Sequence, residues 1–171
     1  MPQKSFTPTD FWEGRHQSYH QDIDGYYTFD SAAKGEGLAG YRNASKEFQE
    51  IIAEAVQNNF TLRAMGSSWS LSTCGVTNHR LISSKNLRRF FGVSGSYVDP
   101  SYSKDSTKLL FFECGYTLSK INIELKKKGL SLTACGSNNG QTLPGVVSTN
   151  THGSAFKFGA TPEMVVGIHL I

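Results

Sequence analysis

The stretch Thr133-Ala134-Cys135-Gly136-Ser137-Asn138-Asn139-Gly140-Gln141-Thr142-Leu143-Pro144-Gly145-Val146-Val147-Ser148-Thr149-Asn150-Thr151-His152-Gly153-Ser154 decides how this chain is read. Small, polar and glycine residues replace any hydrophobic period there. Backbone approaches a ligand closely only where side chains are absent or short, and Ser, Thr and Asn add hydrogen-bonding arms beside free N–H groups. A phosphate-bearing cofactor suits such a segment better than a metal or a hydrophobic ligand does.

The flanking elements can be read outward from it. From Ser45 the apolar residues Phe48, Ile51, Ile52, Ala55 and Val56 recur at helical spacing. With Ser45 as a cap and Glu47 in the positive first turn, they predict a helix over about 45 to 58. Phe60 to Met65 reads as a buried strand running into the small-residue loop Gly66-Ser67-Ser68-Trp69-Ser70. Leu109 to Glu113 is a second strand. A helix capped by Thr117 follows, presents Leu118, Ile121 and Leu125 on one face, and stops at Gly129. Thr161-Pro162-Glu163 starts a short helix with proline in its first turn, and Val165 to Ile171 is apolar and β-prone. Strands mixed with helices, without repeats or a low-complexity linker, imply an α+β fold.

A chain of 171 residues with 38% hydrophobic content can bury a real core. Its formal charge of +3 is scattered except at Lys126-Lys127-Lys128, which reads as a solvated helix end rather than a nucleic-acid site. The aromatic but polar first 30 residues show neither the apolar run of a signal peptide nor a membrane span, so a cytoplasmic or otherwise intracellular protein is expected. Cys74, Cys114 and Cys135 are odd in number and widely spaced, suggesting reduced cysteines rather than a disulfide framework or zinc site. Asn43-Ala44-Ser45 and Asn59-Phe60-Thr61 match the glycosylation pattern, by chance in the absence of an export signal.

Two further patterns lack their context. Gly35-Glu36-Gly37-Leu38-Ala39-Gly40 matches the dinucleotide fingerprint, but neither a β-run before it nor an amphipathic helix opening from it is evident, and a surface loop is expected. His16 and His20 are four apart, near Asp22 and Asp24, in a segment without helical period; solvated histidines are expected rather than a metal pair.

Arg63-Ala64-Met65-Gly66-Ser67-Ser68-Trp69-Ser70 combined with Gly140 to Ser154 is more specific than either alone. Together with Leu81-Ile82-Ser83-Ser84-Lys85-Asn86-Leu87 and Glu113-Cys114-Gly115-Tyr116-Thr117-Leu118, it resembles the FAD-binding domain of the vanillyl-alcohol oxidase and p-cresol methylhydroxylase superfamily, especially the sugar-lactone and alditol oxidases. The resemblance runs from about Tyr41 to Ile171. It implies a PCMH-type domain of two α+β subdomains with an extended FAD between them: an N-terminal extension over 1–40, a first subdomain over 41–98 and an incomplete second one over 99–171. It further implies that the backbone N–H groups of Gly66, Ser67, Ser68, Trp69 and Ser70 hold the FAD pyrophosphate. Gln141, Thr142, Gly145, Ser148 and Thr149 would line the cofactor, with Thr151, His152 and Gly153 beside the flavin or its ribityl chain. Read alone, His152 is a hydrogen-bonded structural histidine; within Thr-His-Gly-Ser a role beside the cofactor is expected.

Trp69 departs from the pattern. Many relatives place there a histidine covalently joined to the flavin, and indole has no comparable nucleophilic nitrogen, so non-covalent FAD is expected. Core packing and stacking near the flavin are both open to Trp69. Pro144 occupies a position that is often glycine in relatives.

Superfamily members usually continue into a substrate domain, and by the resemblance this sequence is expected to lack one, together with the FAD domain's last strands. The resemblance implies a flavin-dependent oxidoreductase that oxidises an alcohol, polyol or sugar lactone by hydride transfer to flavin N5, either truncated or completed by a second chain. A standalone, non-catalytic flavin-binding or scaffold module is the alternative. None of His16, His20, His79 or His169 has a motif that nominates a base; no catalytic residue and no metal site are assigned.

Overall fold

A computed structural model of the protein describes residues 4–29 and 37–171. Its main sheet is built from β1 (Lys4–Pro8), β4 (Gly25–Phe29), β5 (Leu62–Met65) and β6 (Arg80–Ser83), in the order β1-β4-β6-β5. β1 runs antiparallel to β4, whereas β4 and β5 both pair in parallel with β6. Between β1 and β4 the chain makes a small hairpin of β2 (Phe11–Glu13) and β3 (His20–Asp22). The segment ahead of residue 41, which carries little of the resemblance, therefore supplies two of the four strands of this sheet.

Period-two alternation gives the sheet two apolar faces. On one face Tyr27, Phe29 and Ile82 pack with Leu87 against Ala44 and Ile51 of the helix α1 (Gly37–Gln57), and Phe48 stacks on Phe29 at 4.5 Å. On the other, Met65, Leu81 and Val76 meet Ile23, with Trp12, Tyr19 and Tyr26 packed alongside. Complete burial of a side chain such as Ile51 or Leu81 contributes about 1.5–3 kcal/mol.

Several expectations are corrected. α1 begins at Gly37, eight residues before the expected start, and Ser45 is interior to it: its hydroxyl donates to the Tyr41 carbonyl one turn back instead of capping. Ile51 and Ala55 are buried, but Ile52 and Val56 lie on the exposed flank, because the sheet covers only one stripe of the helix. The Gly35–Gly40 pattern is preceded by β4 and does open a helix at Gly37; Gly35 and Glu36 lie outside the described residues. The two strands that α1 joins are not neighbours, since β6 lies between β4 and β5. β5 is an edge strand with only Met65 buried, not the buried strand read from its composition.

The second half is smaller. β7 (Phe90–Gly92) and β8 (Leu110–Phe112) form an antiparallel pair with Phe90 stacked on Phe112 and Phe91 on Phe111. The helix α2 (Leu118–Lys127) follows, with Leu118, Ile121 and Leu125 buried as their spacing requires. Gly129 has φ +70° and closes it: Gly129 N–H donates to Lys126 O and Leu130 N–H to Leu125 O, the paired bonds of a left-handed helix terminus. Thr117 stands at the N-terminal position, but its hydroxyl meets Ser119 instead of capping a backbone amide. Then comes the short helix α3 (Leu143–Ser148), whose Val146 completes the core with Tyr116.

Thr161–Met164 forms one 3-10 turn with Pro162 in its first positions. Val165 to Ile171, expected as a strand, is irregular, with Val166, Ile168, Leu170 and Ile171 exposed. A strand exists only as part of a ladder, and no strand pairs with this segment among the described residues. Among the described residues, no helix is long and apolar enough to cross a membrane.

Candidate functional site

The two halves meet along a seam of close backbone approaches. Gly115 N–H donates to Leu87 O at 2.8 Å, and a Cβ on Gly115 would lie 2.2 Å from Ser84 O and 2.5 Å from Leu87 O. The buried Ser84 hydroxyl donates to Met65 O at 3.0 Å. Two of the quoted motifs, Leu81–Leu87 and Glu113–Leu118, thus interlock here. Beside them, Arg89 and Glu113 form a buried ion pair at 2.9 Å, and the Arg89 amide donates to the second carboxylate oxygen at 2.7 Å. Burial pushes the neighbouring Cys114 thiol up to about 12, with the Glu113 charge adding to the effect.

At one end of this seam the two small-residue segments come together. Gln141 and Leu143 lie along the start of α2: Leu118 N–H donates to Gln141 O and Leu143 N–H to Tyr116 O. This places the buried Thr142 against Gly66, where a Cβ would fall 2.2 Å from Thr142 Oγ1. Gly145 also faces that hydroxyl oxygen. Trp69 packs its six-membered ring against Gly140, where a Cβ would lie 2.5 Å from the indole. These contacts require glycine for proximity rather than for an unusual φ.

The loop Gly66–Ser70 is open to an anion. Among the described residues, the backbone N–H groups of Ser67, Ser68, Trp69 and Ser70 donate to no protein acceptor. Ser68 adopts φ +54°, and a left-handed residue in a turn aligns successive amides into an anion-binding concavity. The Gln141 Oε1 atom is buried without a hydrogen-bond partner. Beyond the loop, the exposed Cys74 has its pKa lowered, chiefly by the hydroxyls of Ser70 and Ser72, with Ser70 Oγ 3.2 Å from its sulfur.

The remaining sequence candidates lie at the far side of α3. Ser148 and Thr149 are exposed, and the Thr149 hydroxyl donates to Gly145 O within the helix. Thr151 is tied in by its amide to Val146 O and by its carbonyl to Thr161 N–H. Gly153 approaches Cys135, where a Cβ would lie 2.4 Å from the carbonyl oxygen. His152 is exposed, with Nδ1 3.0 Å from Gly153 O. With Gly153, it lines an open cavity of about 430 Å³ together with Phe156, Phe158 and Glu163. No hydrogen bond or ring contact among the described residues links this group to Gly66–Ser70. A helix of six residues, about 9 Å long, separates the two.

Sequence reasoning missed the hairpin. Arg15 N–H donates to Ser68 O at 3.1 Å, its guanidinium lies 4.5 Å over the Trp69 ring, and the His16 ring meets Trp69 edge-on at 5.5 Å. The Ser18 hydroxyl donates to Leu71 O. The usable signal was the placing of Trp12 and Tyr19 among polar residues on either side of Gly14, the mark of a half-buried hairpin. His20 lies in the hairpin's second strand, and among the described residues no group of three or more His, Cys, Asp or Glu side chains could hold a metal.

Residues 43–171 match the family described as the FAD binding domain, and the chain belongs to that family. The D-arabinono-1,4-lactone oxidase of Yarrowia lipolytica is 28% identical over 130 residues, covering 74% of this chain and 23% of that protein. The L-gulonolactone oxidase of Mus musculus is 26% identical over 125 residues, covering 73% and 26%. A cholesterol oxidase from B. sterolicum shares the fold, with a TM-score of 0.63 at 12% identity over 89% of this chain and 25% of its own. The chain spans about a quarter of the length of these relatives.

Proposed function

We propose that this member of the FAD binding domain family holds FAD along the seam between its halves, within a flavin-dependent oxidoreductase acting on an alcohol, polyol or sugar lactone. The observation that carries the reading is the meeting of Gly66 with Thr142 and of Trp69 with Gly140 beside a row of unpaired amides. Gly66, Ser67, Ser68, Trp69 and Ser70 take the diphosphate. Gln141, Thr142 and Gly145 line the adjoining stretch, the orphaned Gln141 oxygen being suited to a donor on the ligand. Ser148, Thr149, Thr151, His152 and Gly153 serve the flavin end. The two subdomains divide near Arg88 rather than at residue 98, because β7 pairs with β8 and Phe90 packs in the second core.

FAD supplies the hydride acceptor at flavin N5 when bound. The chain's own part is to bind and orient: the unpaired amides stabilise negative charge, and the glycines allow backbone to approach. No side chain here is assigned as the base. The association is non-covalent, since Trp69 offers no nucleophilic nitrogen and its ring is occupied by Gly140 and Arg15. The exposed apolar segment Val165–Ile171 is covered by a second chain or by further sequence of the same protein. Three free cysteines suit a reducing intracellular compartment.

The test is the visible spectrum of the purified chain incubated with FAD, before and after acid precipitation, with the intact protein mass. A yellow protein that releases its flavin in acid, at unmodified mass, supports the reading. A flavin retained through precipitation overturns the non-covalent assignment, and a chain that takes up no FAD overturns the site.

A further inference from the structure

We propose that Arg15, delivered by the N-terminal hairpin, supplies the positive charge that neutralises the diphosphate at the Gly66–Ser70 loop, and that Trp69 is the platform holding it there. This rests on the FAD reading and adds a residue from outside the matched segment, which starts at residue 43.

Four consecutive amides without protein acceptors can each donate to an anion, but partial charges alone leave a dianionic diphosphate short of a full counter-charge. Arg63, at the loop's entry, points elsewhere: its guanidinium donates to Cys74 O. Arg15 is attached to the loop by its own amide, through the bond to Ser68 O, and its guanidinium stacks on the indole of the next residue. Such stacking restrains a long side chain while leaving its edge N–H groups free to donate.

The surrounding charges agree. No carboxylate pairs with Arg15 among the described residues. The adjacent Glu13 accepts from Gln17 Nε2 at 3.2 Å, within the hairpin. Gly14 is buried, with Tyr19 2.9 Å from where its Cβ would be, so the hairpin that carries Arg15 is itself packed in place. A cation fixed over an aromatic ring, at a loop of unpaired amides and without an acidic partner, is placed to meet a phosphate.

The test uses the full chain and three probes: FAD, ADP and riboflavin, the last lacking the diphosphate. In Arg15→Gln the affinity for FAD and for ADP should fall roughly tenfold, as for loss of one charge-assisted hydrogen bond, with riboflavin unchanged. Arg15→Lys should recover part of the loss, and added salt should weaken ADP binding more in the wild type than in Arg15→Gln. Thermal melts of both variants should match the wild type. If Arg15→Gln binds FAD and ADP as tightly as the wild type, or loses riboflavin equally, the role of Arg15 is overturned while the FAD site stands. If the wild type takes up neither FAD nor ADP, the site reading falls and this assignment with it.

Discussion

The seam and the rim of this molecule both carry glycine and serine, yet they differ in burial and in order. Along the seam, around Gly66, Ser84, Gly115 and Thr142, backbone closely approaches backbone at Gly115 and the buried Thr142 side chain at Gly66, and the buried Ser84 hydroxyl is paired. Along the rim, from Gly153 to Gly159 and on into Val165–Ile171, the chain is exposed and irregular, and Phe156 and Phe158 face solvent. The lesson is that small residues do not by themselves build a site. A cradle forms where strands and helices on both sides bring two small-residue segments together. The same residues without that framework remain open surface.

The largest effect should come from cutting the ion pair behind the seam. Glu113→Gln removes the carboxylate charge that faces the buried Arg89 guanidinium, and a loss of about 3 kcal/mol is expected, read as the shift in urea midpoint. A loss below about 1 kcal/mol would mean that the seam is wetter than its geometry implies.

Paired glycine substitutions sharpen the contrast. In Gly66→Ala the new methyl meets the buried Thr142 side chain, which cannot withdraw, and about 1–3 kcal/mol of stability should be lost together with FAD affinity. In Gly159→Ala the obstruction is the exposed Glu163 carboxyl, the end of a flexible side chain, and the change should stay within about 0.5 kcal/mol. Equal losses in the two melting curves would erase the distinction between seam and rim.

A further effect, smaller than that at Glu113, is a pH dependence. Burial raises the Cys114 thiol from 9.0 to about 12 in the folded protein. The folded state therefore favours the protonated form: this contribution is complete below pH 9 and disappears as pH rises towards 12. Relative to Cys114→Ala, the wild type should lose about 1.4 kcal/mol between pH 8 and pH 10 in matched urea titrations. Parallel curves for the two proteins would place that thiol in solvent, with the exposed Cys74 and Cys135.

What was legible in the sequence was local. The face Leu118, Ile121 and Leu125, the left-handed stop at Gly129 and the proline-led turn at Thr161 follow from residue spacing and backbone preference, and each forms as read. The early start of α1 was not legible, because Gly37 and Gly40 have little helical preference, and this turn is anchored by tertiary contacts, with Gly40 buried and Tyr41 packed on Phe91 and Phe111. The edge position of β5 was hidden for a similar reason: composition reports that a segment pairs, not how many neighbours it has. The final apolar segment shows the converse, a strand preference with no ladder to join among the described residues.

For the site, the chain by itself determined which segments could lie against a phosphate-bearing cofactor, since close backbone approach demands small residues and those are written in the sequence. The FAD binding domain family follows from the same residues. Only the tertiary structure decided that Gly66 meets Thr142, that Trp69 rests on Gly140, and that Arg15, some fifty residues upstream, is laid over that indole. Those contacts join positions far apart in the chain. They depend on where β5, α2 and the hairpin come to rest, which is set by burial of the cores beneath them rather than by any local preference of the residues that meet.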